Sequence, residues 1–299
     1  MKPVVALVTA REARGLDEDL PPLEAALDAA GFETRVVDWD DPHAQWGSFD
    51  LALLRSTWDY TDRLPEFLAW VDSAAAVTRL LNPPPVVRWN TDKHYLSELA
   101  RAGAPVVSST FVEPGENAAR ALDTFLARHD SPEFVVKPSV GAGSRDTQRH
   151  VRTEIEVALA HAQRLLDARR SVLLQPYLES VDTEGETALM FFAGRFSHAI
   201  RKGPLLPRGS TASPAIGLFA PEKITSRIPG ADELRVAGQV LSGLPFEAPL
   251  YARVDLIRDT SGAAVLLELE LTEPSLFFAH SAGSAERFAA AVVKHATTA

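Results

Sequence analysis

The sequence predicts a mixed α/β protein, with a doubly wound N-terminal unit followed by α+β subdomains. Three observations point there. Residues 4–9 (VVALVT) and 51–55 (LALLR) are unbroken apolar runs of the kind buried on both faces of a parallel sheet. A helical pattern at 23–30, opened by Pro21 and Pro22 and closed by Gly31, leads into a further strand at 34–38. Near the other end, 253–274 (RVDLIRDTSGAAVLLELELTEP) reads as a hairpin turning at Asp259, Thr260, Ser261 and Gly262.

Strand–helix–strand order makes 1–86 one α/β unit. Its strand 51–55 runs straight into Ser56, Thr57, Trp58, Asp59 and Tyr60. Open α/β sheets bind ligands beyond the carboxyl ends of their strands, so this loop is a candidate substrate reader. Arg55 suits a carboxylate and Asp59 an ammonium, with Ser56 beside them and Trp58 or Tyr60 as a wall. The alternative is a local Arg55–Asp59 ion pair and a Trp58 that packs a domain interface. A helix follows at 63–75, and Pro83, Pro84 and Pro85 read as a stiff connector that ends the unit. Asn90, Thr91 and Asp92 then offer N-cap chemistry to a helix carrying Lys93, Tyr95, Leu96 and Leu99.

Composition removes several function classes. With 46% hydrophobic and 23% charged residues, the 299-residue chain has an ordinary globular composition, enough for two or three subdomains. We place their boundaries at 1–86, 87–179 and 180–299. A net charge of −10, with no basic cluster interleaved with aromatics, argues against nucleic acid as a partner. The absence of cysteine removes disulfides, thiolate catalysis and iron–sulfur clusters. The eight histidines show no pair at metal-ligand spacing and no serine sits in a G-x-S-x-G turn, so zinc and serine hydrolases fall as well. No segment approaches the roughly 20 apolar residues of a membrane span, and 4–10 is too short for a signal peptide. A cytoplasmic protein with no membrane partner is expected.

Four stretches carry chemistry. The strand 134–138 (FVVKP) ends in Lys137, and a lone buried ammonium is costly unless an anion meets it. It is followed by 139–144 (SVGAGS), where Gly141, Gly143 and Ser144 let backbone N–H groups approach a phosphate; the alternative is a plain hairpin tip. A buried strand at 171–175 leads into Pro176, Tyr177, Leu178 and Glu179. A hairpin of 187–192 and 195–201 ends in Arg201 and Lys202, beyond which 203–217 has the composition and length of a lid. In the last hairpin, if Arg258 pairs with Ala263, then Arg253, Asp255, Leu266, Glu268 and Glu270 share one face. Leu267, Leu269 and Leu271 then anchor the other face in the core. Three carboxylates on one face suit a hard cation such as Mg²⁺, the alternative being a solvated hairpin face.

Taken together, these pieces resemble the ATP-grasp superfamily over essentially the whole chain. The α/β unit, Lys93, FVVKP, SVGAGS, LLQPYLE and the RVDLIRD…LLELELTEP hairpin stand in that family's order. The resemblance implies an ATP-grasp fold: an N-terminal pre-domain at 1–86, a central lid subdomain at 87–179, and a C-terminal subdomain with the metal site at 180–299. It implies ATP and Mg²⁺ as cofactors, with Mn²⁺ as a candidate substitute. Lys93 and Lys137 would hold the phosphates, Gly141, Gly143 and Ser144 would close over them, and Gln175, Pro176, Tyr177 and Leu178 would read adenine. Glu186 would hold the ribose, with Glu179 and Asp182 as alternatives. Asp255, Glu268 and Glu270 would bind the metal, while Arg253, Lys137, Arg201 and Lys202 face the transferred phosphate. Glu270 stands where many members have asparagine, which leaves an amine- or water-orienting role open for it.

Within the superfamily, RSTWDY, NPPPVVRWNTDKHYL and ELELTEPSLFF are similar to a cyclo-ligase subgroup acting on O-ureido-D-serine. That likeness implies a carboxylate phosphorylated by ATP, then intramolecular C–N closure to D-cycloserine, with Arg55, Ser56, Trp58, Asp59, Tyr60 and Ser275 around an amino-acid-like substrate. An intermolecular carboxylate–amine ligase and a non-catalytic nucleotide-binding regulator are the alternatives. A homodimer is the oligomer considered.

Overall fold

The computed structural model describes residues 2–206 and 223–297, and it builds three sheets. The first unit comprises β1 (Val4–Thr9), α1 (Leu20–Ala29), β2 (Glu33–Asp38), β3 (Leu51–Ser56), α2 (Leu64–Ala75) and β4 (Arg79–Leu81). Its strands run parallel in the order β2-β1-β3-β4, the doubly wound arrangement that the buried runs of β1 and β3 require. Two helices follow, α3 (Pro84–Asn90) and α4 (Tyr95–Arg101).

The second sheet is antiparallel, in the order β5-β8-β6-β7. It comes from β5 (Thr110–Val112), α5 (Ala118–Arg128), β6 (Glu133–Pro138), β7 (Gln148–Val151), α6 (Ile155–Asp167) and β8 (Val172–Pro176). Its helices cover one face through Leu122, Phe125, Ala158 and Leu165. The third part runs through α7 (Ser180–Glu184), β9 (Glu186–Phe192), β10 (Arg195–Lys202), β11 (Ile224–Arg227), α8 (Ala231–Ser242), β12 (Tyr251–Arg258), β13 (Ala264–Glu270) and α9 (Ser284–Thr297). Its sheet is antiparallel, ordered β11-β10-β9-β12-β13.

The cores cross these boundaries. Leu23 and Leu27 of α1 share a cluster with Met190, Tyr251, Phe288 and Val292, so α9 is packed between the first and third sheets. Tyr95, Leu96 and Leu99 of α4 pack with Val236 and Val240 of α8 and with Leu269 of β13. No helix among the described residues is long and apolar enough to cross a membrane.

Three local expectations are corrected. The prolines do not form a non-helical stiff connector: Pro83 is the extended N-cap residue, and Pro84 and Pro85 begin α3. A first helical turn has no use for their missing N–H groups, and proline's fixed φ already suits it. As a result Asn90 ends α3 instead of capping the next helix, and Lys93 lies ahead of α4. The last hairpin is also re-registered. Arg253 pairs with Glu270, Asp255 with Glu268 and Arg258 with Ala264, with a bulge between Asp255 and Leu256. The extra residue turns Leu267 out to a cavity wall and buries Leu266 instead. Most of the lid expected at 203–217 lies outside the described residues.

Candidate active site

A cavity of about 530 Å³ opens where the three sheets meet. Its position follows from strand ends: β6 delivers Lys137, β8 delivers Pro176 and the hinge after it, and β13 delivers Glu268 and Glu270. Gly185 is required where β9 begins. Its φ is +73°, and a Cβ there would lie 2.3 Å from the Lys202 carbonyl oxygen. That close approach sets Glu186 beside Lys202, whose Nζ lies 2.8 Å from the Glu186 carboxylate.

Four cations and four carboxylates interleave. Lys93 Nζ lies 3.0 Å from Glu268 Oε1 and donates to the Gly141 carbonyl at 2.7 Å. Lys202 Nζ also contacts Asp255 Oδ2 at 2.7 Å, and Arg253 donates to Asp255 at 2.9 Å and to Glu270. Lys137 lines the same cavity with no carboxylate at ion-pair distance among the described residues, which leaves its charge for a ligand. Burial pushes Lys137 down to about 8. Burial alone would raise Glu268, but Lys93 and Lys137 outweigh it and hold the carboxyl at about 2. Burial lifts Glu270 to about 7, with Glu268 and Asp255 adding to it against the pull of Arg253. Two carboxylates two residues apart on one strand are thus driven in opposite directions by their neighbours.

The apolar end is walled by Val135, Leu178, Ile257 and Leu267. Tyr177 N–H already donates to Glu133 O at 2.9 Å, and Ser131 Oγ donates to Tyr177 O at 3.1 Å. The Tyr177 backbone is therefore already engaged on both its N–H and its C=O. Arg149, which the sequence reading missed, stacks 3.5 Å from the Tyr177 ring centroid and is clamped by Glu133 and Asp182. Nothing in QRHV marks it, because its role exists only once β7 pairs with β6 and approaches the hinge.

Of the expected phosphate and nucleotide residues, Lys93, Lys137, Gly141, Gly143, Ser144, Gln175, Pro176, Tyr177, Leu178 and Glu186 all line the cavity. So do Arg253, Lys202, Glu268, Glu270, Trp58, Tyr60 and Ser275. Five do not. Arg201 is on the opposite face of β10 from Lys202, by strand alternation, and donates to the Thr183 and Glu184 carbonyls. Arg55 is 1% exposed, donating to Pro274 O at 3.0 Å and lying 3.9 Å from Asp19. Ser56 Oγ is 2.8 Å from Thr9 Oγ1, inside the first sheet. Asp59 accepts from Trp39 Nε1 at 2.8 Å and lies 3.6 Å from Arg63, so neither the substrate role nor an Arg55–Asp59 pair is seen. Asp255 is fully buried under Arg253 and Lys202.

No three histidine, aspartate or glutamate side chains among the described residues converge as a ready metal site. The donors nevertheless fit Mg²⁺ by chemistry. Glu268 and Glu270 present only hard oxygens, each about a quarter exposed to the cavity, and Asp255 is the partner of Glu268 in the hairpin register.

This constellation of strand-end lysines, glycine loop, apolar hinge and paired carboxylates defines an ATP-grasp ligase, and the comparisons agree. Residues 5–82 match the family model of the D-cycloserine synthetase DcsG N-terminal domain. The cycloserine biosynthesis protein DcsG of Streptomyces lavendulae is 42% identical over 298 residues, covering 97% of this chain and 98% of that protein. The crystal structure of D-cycloserine synthetase DcsG superposes with a TM-score of 0.92 at 40% identity, over 98% of this chain and 100% of that one. The ATP-grasp ligase PsnB, complexed with a minimal precursor, Mg and ADP, shares the fold with a TM-score of 0.65 at 17% identity, over 98% and 97% of the two chains. The chain belongs to the DcsG family of ATP-grasp ligases.

Proposed function

We propose that this enzyme converts O-ureido-D-serine to D-cycloserine in one cavity, using MgATP. The observation that carries the reading is that an uncommitted Lys137 and the paired carboxylates of β13 lie in the same cavity as Trp58 and Tyr60 of the N-terminal unit. Phosphate chemistry and a small substrate then meet without a second binding site.

Lys93 and Lys137 hold the β- and γ-phosphates, and Ser144 with its neighbouring glycines covers them. Glu268 and Glu270 would hold Mg²⁺, with Asp255 joining once Arg253 and Lys202 turn toward phosphate. Bound there, Mg²⁺ would supply charge neutralisation for the transferred phosphoryl group, and the same oxygen donors would suit Mn²⁺. The substrate carboxylate takes the γ-phosphoryl group and ADP forms. The ureido nitrogen attached to oxygen then attacks the acyl carbon, the C–O bond to phosphate breaks, and a five-membered ring closes. Water removes the carbamoyl group as CO₂ and ammonia. An internal nucleophile has a high effective concentration, so Trp58, Tyr60 and Ser275 need chiefly to hold the bent conformer.

The test is turnover of purified protein with MgATP and O-ureido-D-serine alone. ADP and ring appearing together, with no added amine, supports cyclisation. ADP release that requires a second amine would favour intermolecular ligation instead.

A further inference from the structure

We propose that Glu273 is the base that takes the proton of the ring-closing nitrogen, an inference that rests on the cyclisation reading above. Ring closure needs such a group: as nitrogen bonds to the acyl carbon and phosphate departs with the C–O electron pair, its N–H proton must go somewhere. Four of the other carboxylates that line the cavity are committed to cations or backbone N–H groups. Glu268 is held by Lys93, Glu270 by Arg253, and Glu186 by Lys202. Asp19 accepts the backbone N–H groups of Leu276, Phe277 and Phe278 at 2.5–3.0 Å. Asp17 uses one oxygen to accept from Asp19 N at 3.0 Å and faces Arg55, its other oxygen buried without a hydrogen-bond partner among the described residues and its backbone lacking the side-chain bracing of Glu273. Glu273 lines the cavity, is 7% exposed, and its carboxyl meets the hydroxyl of Tyr60.

Its backbone is held unusually firmly. Tyr251 Oη donates to Thr272 O at 2.8 Å, Trp58 Nε1 to Glu273 O at 3.1 Å, and Arg55 to Pro274 O at 3.0 Å. Three consecutive carbonyls are thus gripped by side chains from other elements; of the RSTWDY motif, Trp58 and Tyr60 hold Glu273 itself and Arg55 holds the next residue. Fixing a side chain through its backbone is how a positioned base is built. The charged and titratable groups around it are Tyr60 from the turn after β3, Tyr251 of β12, Lys93 ahead of α4, and Glu268 and Glu270 along β13. Burial and then Glu270 push the carboxyl up to about 8, near the pH at which a base is most effective. During closure the nitrogen's proton passes to the Glu273 carboxylate and then to water, leaving no charge unaccounted for.

The experiment separates the two chemical steps by trapping the acyl phosphate with hydroxylamine as a hydroxamate. Glu273→Gln is expected to keep hydroxamate formation at or above the wild-type level while ring closure falls about 10²–10⁴-fold. Tyr60→Phe removes the hydrogen bond that lowers the Glu273 pKa, so the acid limb of ring closure, read relative to hydroxamate formation by the same variant, should move to higher pH. Ring closure at wild-type rate in Glu273→Gln, or an equal fall in hydroxamate and ring, would overturn the proposal. So would an unmoved limb in Tyr60→Phe, which guards against a merely unstable glutamine variant. If wild type gives neither ring nor hydroxamate from O-ureido-D-serine and MgATP, the cyclisation reading itself fails and takes the proposal with it.

Discussion

The two ends of the cavity are built differently. At the end proposed for the nucleotide, charged side chains face the open space directly: Lys137 has no carboxylate partner among the described residues, and Glu268 and Glu270 stand on consecutive inward positions of β13. At the substrate end, the most conspicuous charges are turned into the protein. Arg55 grips a backbone carbonyl, Asp59 holds Trp39, and the cavity lining is left to Trp58, Tyr60 and Glu273. Phosphates demand charge that any strand end can supply, whereas a bent small molecule demands shape, which comes from parts braced by buried polar contacts. The difference teaches that a charged residue in a loop beyond a strand is evidence of construction as often as of binding.

The largest effect that could break this contrast is at Lys137. Lys137→Ala should lower ATP-dependent turnover about 10²–10³-fold, read as initial ADP release, by removing a charge aimed at the transferred phosphoryl group. Arg55→Ala should act on folding instead, costing on the order of 3 kcal/mol because Asp19 is left buried beside an unpaired carbonyl. Thermal melting should show that loss, with the residual kcat of folded enzyme little changed; a normal melt with lost turnover would return Arg55 to the substrate.

The pH dependence sharpens the nucleotide end. Lys137 is depressed to about 8, so it is protonated and attractive to phosphate below that value and loses its charge above it. ATP affinity measured without metal should weaken as pH rises through about 8, and Lys137→Arg, which stays charged, should flatten that dependence. Fold stability should move in the opposite direction: a lysine whose native pKa is lowered opposes folding at low pH, and that penalty fades as pH rises between about 8 and the unfolded value. Smaller still, Arg149→Met should raise KM for ATP about three- to tenfold at near-constant kcat, because it orders the hinge ring without touching the reacting atoms. Smallest, Asp59→Asn should change KM for ATP and for the amino-acid substrate equally, by less than about twofold.

How much of this was legible in the sequence follows the same division. β1, β3 and α9 were readable because burial on both faces, or on one helical face, leaves an unbroken or 3.6-period apolar pattern. Lys137 was readable because an apolar strand ending in a cation is costly without a ligand. The β13 bulge was not, since both registers satisfy the same alternation over LLELEL and only packing of Leu266 against α4 and α8 decides between them. Arg55 and Asp59 misled because their residue types fit an amino acid equally well as they fit Pro274 O and Trp39. Glu273 was missed because nothing local distinguishes it: its setting is made by Tyr60, Trp58 and Tyr251, which lie 213, 215 and 22 positions earlier by the residue numbers.

The central claim is that the substrate's own carboxyl is phosphorylated and then closed upon within this one cavity. The most direct test is turnover of O-ureido-D-serine labelled with ¹⁸O in the carboxylate, reading the released phosphate by its isotope shift. One labelled oxygen in each phosphate formed, with the ring as co-product, is the predicted result. Unlabelled phosphate accompanying ring formation would contradict it, because the carboxyl would then never have been activated by ATP.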